Sequence, residues 1–108
     1  AELRANQWQS FSEVSGLPYM PAIAPGWDAS PRGADFGNKR PDKYPWAPVI
    51  TGEHPDLFAA AIQRARRFRS PVSLDNPLVL VASLNEWSEG HYLEPDERFG
   101  MGWLEAVQ

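Results

Sequence analysis

The sequence predicts an α/β fold in which two parallel strands are joined by a helical crossover, and three stretches predict it. Residues 78–84, LVLVASL, are continuously apolar and lack the alternation of a strand with one wet face, so they predict a strand covered on both sides. Residues 55–69 carry Leu57, Phe58, Ala61, Ile62, Ala65 and Phe68 on one helical stripe. Residues 17–24, LPYMPAIA, predict a short strand ahead of that helix, although Pro21 removes a ladder donor and favours an edge or a bulge. Strands separated by a helix of this length pair in parallel through a right-handed crossover.

The remaining elements follow from local chemistry. Residues 2–14 predict a helix with Leu3, Trp8, Phe11 and Val14 on one side and Gly16 as a left-handed stop. Residues 25–54 show no periodicity, but Trp27, Phe36, Tyr44 and Trp46 argue for an ordered loop, since disordered segments are poor in rings. Pro55 suits a first helical position and Asp56 complements the positive helix end. Arg64, Arg66, Arg67 and Arg69 complement the negative end and read as a solvated terminus. Residues 99–107 predict a last helix with Phe99, Trp103 and Val107 spaced by four. Two strands cannot fill a doubly wound sheet or close a barrel. The chain is therefore expected to be a partial domain, residues 1–108, that completes itself against the remainder of a longer protein or a second copy.

Composition narrows the function. The formal charge of −4 and a pI near 5.0 disfavour nucleic acid and anionic membrane as partners, which reward basic surfaces. No cysteine is present, which removes disulfides and thiol chemistry, and no apolar run has the length of a membrane span. No glycine-rich phosphate loop or GxSxG elbow supports nucleotide binding or serine esterase chemistry. No cofactor is expected.

Chemistry is expected where the apolar run stops, in LNEWSEGHYLEPD, residues 84–96. Strand ends of this kind carry the ligand sites of parallel α/β folds. Glu86 and Glu89 are three positions apart, so they share a face only if a helical turn begins at Asn85. Two carboxyls about 5 Å apart suit retaining glycoside cleavage. The same spacing also fits two solvated loop glutamates. Trp87, Tyr92, Trp27, Tyr44 and Trp46 can offer flat faces to sugar rings or pack in a core, while Asn85, Asp28, Arg32 and His91 can bond hydroxyls. His91 with Glu94 has no third metal ligand beside it, so no metal site is expected, and Glu94, Pro95 and Asp96 are expected to shape the loop.

Three blocks in order, PAIAPGWDASPR, TGEHPDLFAAAI and LNEWSEGHYLEPDERFGMGWLEA, resemble the glycoside hydrolase family 99-like group, which includes endo-α-mannosidases and WbsX-like proteins of polysaccharide gene clusters. The resemblance implies a C-terminal fragment of a (β/α)8 TIM-type barrel carrying its last two βα units, with a carbohydrate ligand. It implies Glu89 as general acid/base and Glu86 as the base that removes the 2-hydroxyl proton of the sugar, giving retention through an anhydro sugar. Asp28 and Arg32 would bind substrate or shape the site. A glycosyl-transferring protein and a non-catalytic sugar-binding fragment are the alternatives.

Overall fold

The computed structural model describes residues 7–108, and in it helices and two small sheets form an α/β arrangement. Helix α1, Gln7–Ser15, leads to strand β1, Ala22–Ile23. After the long loop come helix α2, Pro55–Arg67, strand β2, Leu80–Val81, strands β3, Asn85–Glu86, and β4, His91–Tyr92, and the short helix α3, Gly102–Glu105. β1 pairs in parallel with β2, Ala22 opposite Leu80 and Ile23 opposite Val81, and α2 makes the crossover. The expected β–α–β unit is present.

Both strands are shorter than expected. Pro21 stands just ahead of β1, where its missing N–H costs nothing and its carbonyl accepts from Leu80 N–H at 2.8 Å; Ala82 N–H then donates to Ile23 at 2.9 Å. Cross-strand partners share a face. Ile23 and Val81 turn toward α2, and Ile23 packs with its Phe58, Ile62 and Ala65. Ala22 and Leu80 turn the other way, where Leu80 is 48% exposed, so the predicted strand covered on both sides is covered on one.

The core is small. Trp8, Ile23, Phe58, Ile62, Ala65, Leu93 and Trp103 form a single cluster, with the Phe58 and Trp103 rings edge-on at 5.9 Å. The radius of gyration, 15.8 Å, exceeds the roughly 13 Å of a compact domain of this length.

α2 starts where predicted, and its cap is His54, whose Nδ1 accepts from Asp56 N–H at 3.2 Å. The stripe is narrower than expected, since Leu57 is exposed. Phe68 ends the helix and turns its ring onto Trp8 and Tyr19.

For the first helix, positions 2–6 of the expected span, Leu3 included, lie outside the described residues. Gly16 stops it with φ +67°, its N–H donating to Ser12. The expected stripe is corrected beyond Trp8: Phe11 and Val14 are exposed, and Ser12 is the fully buried residue. Its hydroxyl donates to the Leu17 carbonyl at 2.6 Å and meets Ser70 Oγ at 2.9 Å, while Tyr19 N–H donates to Ser70 Oγ. A polar knot thus ties α1 to the end of α2, and no hydrophobic pattern announces it.

The last helix is reduced to Gly102–Glu105, and Val107 is exposed. A closed turn takes up the preceding residues, with Gly100 N–H on the Asp96 carbonyl at 2.9 Å. Asp96 organises it from within. One carboxylate oxygen accepts from Phe99 N–H, and the other accepts from the Tyr92 hydroxyl and the Trp103 indole N–H, each at 3.0 Å. Burial pushes the Asp96 pKa up, but these hydrogen bonds outweigh it and hold the carboxyl below its ordinary value. Burial first, and then the bond to Asp96, raises the Tyr92 phenol.

Two predictions follow from this packing. Phe58→Ala should destabilise the chain by about 3–5 kcal/mol in chemical denaturation, the range for emptying a buried aromatic site. For Asp96 the folded-state pKa lies below the unfolded one. Its stabilisation is therefore present above the unfolded range, near pH ~4, and is lost as pH falls through the folded value. Asp96→Asn should lower the melting temperature at neutral pH and flatten its fall in acid, as read by circular dichroism.

Candidate functional site

The carboxylate pair sits on a hairpin, where the sequence suggested a helical turn from Asn85. Asn85 pairs with Tyr92 and Glu86 with His91, antiparallel, and Leu93 N–H closes onto the Leu84 carbonyl at 2.8 Å. The connection is a 3-10 turn, Trp87–Glu89, followed by Gly90 at φ +62°, whose N–H donates to the Trp87 carbonyl. Glu86 is the residue before that turn and Glu89 its last. In 3-10 geometry side chains three apart eclipse, so the turn still delivers both acids to one edge.

That edge is placed by the loop after β1. Asp28 N–H donates to the Glu89 carbonyl at 2.8 Å, and Asp28 Oδ1 accepts from Ser30 N–H at 2.9 Å, starting a second 3-10 turn, Ser30–Phe36. Two glycines allow the approach. A Cβ on Gly90 would stand 2.8 Å from Asp28 N, and one on Gly26 would stand 3.0 Å from the Gly90 carbonyl oxygen. Farther along, the face of Gly33 lies on the Trp46 ring, and Phe36 meets that ring edge-on at 5.4 Å.

The second turn presents Arg32 to both acids. One terminal nitrogen lies 3.0 Å from Glu86 Oε2, and the other lies 2.9 Å from Glu89 Oε1 and donates to the Tyr44 hydroxyl at 3.4 Å. Nε donates to Ser88 Oγ at 3.0 Å. One guanidinium thus spans the pair and offsets the mutual repulsion of the two acids. The hydrogen bond to Tyr44, followed by the charges of Glu89 and Glu86, raises the Arg32 pKa, and burial works against them. The Glu89 side chain is 19% exposed and that of Glu86 49%, so Glu89 is the more sheltered acid.

The rings divide into two groups. Trp87 stacks on Tyr92 with centroids 3.8 Å apart, and its indole N–H donates to Glu94 at 2.6 Å. Trp87 is 45% exposed, so a flat face beside the acids remains open to solvent. Trp27 meets His91 edge-on at 5.1 Å. Asn85 is exposed on β3. Tyr92 is half-buried and engaged with Asp96, and Glu94, expected to shape the loop, holds the Trp87 ring.

The acids lie on open surface. A depression of about 430 Å³ adjoins them through Asp28 and Gly90, and its lining includes Trp27, Thr51, Tyr92 and the Glu53–Arg98 ion pair at 3.0 Å. Among the described residues no group of three or more His, Cys, Asp or Glu is placed to hold a metal, and no helix is long and apolar enough to cross a membrane. Ser88 was not singled out by the sequence. Only the turn that aims it at Arg32 distinguishes it from any surface serine.

The family described as Glycosyltransferase WbsX matches residues 4–107. Two curated relatives, each named uncharacterized protein WxcX, come from Xanthomonas campestris pv. campestris strains B100 and ATCC 33913. Each is 33% identical over 88 residues, covering 82% of this chain and 11% of the relative. The chain therefore spans about a ninth of the length of those relatives. No solved structure matches the chain significantly.

The close approach of the two loops can be tested with a matched pair of glycines. Gly52 also has positive φ, +75°, but a Cβ there would meet nothing within 4 Å. Gly52→Ala should cost about 1–2 kcal/mol, the penalty of left-handed backbone alone. Gly90→Ala should cost more, because Asp28 must also move, and equal losses in thermal unfolding would contradict the packing described.

Proposed function

The chain belongs to the WbsX family, and from that premise we propose that it carries the carboxylate pair of a retaining carbohydrate-active site built on the last two βα units of a (β/α)8 barrel. The observation that carries the proposal is the placement of Glu86 and Glu89 on one guanidinium, at the loops that follow two parallel strands. Barrel enzymes build their sites at that end of the strands. The open face of Ala22 and Leu80 supports the barrel, since a barrel strand faces helices on one side and a packed interior on the other. The remainder of a barrel is the partner that this face fits.

In the proposed reaction Glu89 donates a proton to the leaving glycosidic oxygen while Glu86 accepts the proton of the 2-hydroxyl. The freed 2-oxygen attacks its own anomeric carbon, the bond to the leaving group breaks, and an anhydro sugar forms. Water then attacks the anomeric carbon as Glu89 takes its proton, and Glu86 returns its proton to the 2-oxygen as the anhydro ring opens, so both acids are restored and the anomeric configuration is retained. The exposed ring of Trp87 is suited to stack on the sugar, and Trp27, Asp28, Arg32, Asn85, His91 and Tyr92 are the proposed substrate-binding residues. The proposed ligand is a polysaccharide or glycan.

A second reading replaces water with an acceptor hydroxyl, and the description of the matching family favours it. Both readings use the same two acids. Glu86→Gln and Glu89→Gln in the full-length protein should each lower turnover of end-labelled hexose oligosaccharides by about 10²–10⁴-fold while sparing binding. Retained turnover in both would refute the assignment. Adding unlabelled acceptor sugar separates the two readings, since elongated products mark transfer and shortened ones hydrolysis.

A further inference from the structure

Arg32 is 40% exposed, and a long side chain on open surface does not by itself hold one geometry, because fixing its rotamers costs conformational entropy. Here contacts leave the guanidinium at all three of its nitrogens. Nε is on Ser88, one terminal nitrogen is shared by Tyr44 and Glu89, and the other is on Glu86. Three anchoring points define the orientation of a planar group, whereas the two acids alone would leave it free to pivot about the line between them.

The two neutral anchors come from different loops. Ser88 lies inside the turn between the acids, and Tyr44 lies in the loop ahead of α2, exposed and with its hydroxyl within reach of Arg32. Each acid meets Arg32 through one carboxylate oxygen, Oε2 of Glu86 and Oε1 of Glu89.

We propose that Ser88 and Tyr44 are positioning residues which, acting through Arg32, set the gap between Glu86 and Glu89 and the oxygen each presents to a sugar. The inference rests on the two-carboxylate site proposed above. Neither residue touches the reacting atoms. Their contribution is to turn a mobile cation into a fixed spacer, and it is expected in kcat with little change in KM, because orientation at the reacting centre is what they supply.

The test uses the full-length protein labelled with ¹⁵N-arginine and compares it with Ser88→Ala, Tyr44→Phe and the double variant. The Arg32 signal, assigned by its loss in Arg32→Lys, should show slow Nε–H exchange and hindered guanidinium rotation in the parent protein. Both should be released in the double variant, with an unchanged melting temperature. On the labelled oligosaccharides the double variant should lose about tenfold in kcat and little in KM. A freely rotating Arg32 in the parent protein would overturn the proposal, and so would its release without loss of kcat. These outcomes differ from failure of the carboxylate assignment, in which Glu86→Gln and Glu89→Gln stay active while Arg32 remains immobile.

Discussion

A single backbone hydrogen bond, Asp28 N–H to the Glu89 carbonyl at 2.8 Å, joins the two loops on which the candidate site stands. It forms because neither Gly26 nor Gly90 carries a Cβ where the chains meet. Without that approach the turn holding Glu89 and the turn holding Arg32 would be separate surface loops. With it, a cation from one loop lies against both acids of the other. Ion pairs this exposed contribute little to stability. The geometry of the site therefore depends on the backbone contact, and the charges add orientation to a placement already made.

The βαβ unit beneath supplies the platform. Ile23 and Val81 face α2, and the parallel register brings the ends of β1 and β2 to one side, so the loops that leave them start as neighbours. Asp96 does related work behind the hairpin. By accepting from Tyr92, Phe99 and Trp103 it fixes Tyr92, on which Trp87 stacks, and so connects the last helix to the exposed ring beside the acids. Core, hairpin and ring form one chain of contacts.

The opposite face of the sheet is open, and the radius of gyration is larger than a compact domain of this length needs. The curated relatives are about nine times the length of the matched segment.

Local chemistry in the sequence determined the helix that begins at Pro55, the stop at Gly16 and the pairing of two strands across a helical crossover. Those features are written in near neighbours: an apolar period, a proline, a glycine. The sequence also placed two acids three apart after a strand but left open whether they share a face. Tertiary structure decided that, through a 3-10 turn and a hairpin in place of a turn of α-helix. It also decided the buried Ser12, the grip of Glu94 on Trp87 and the bridging of both acids by Arg32. Ser12 meets a residue 58 positions away, and Arg32 meets Ser88 and Glu86 at separations of 56 and 54. No local period encodes such contacts. Those of Arg32 exist because the parallel pairing of β1 with β2 lets the loops that leave them start side by side.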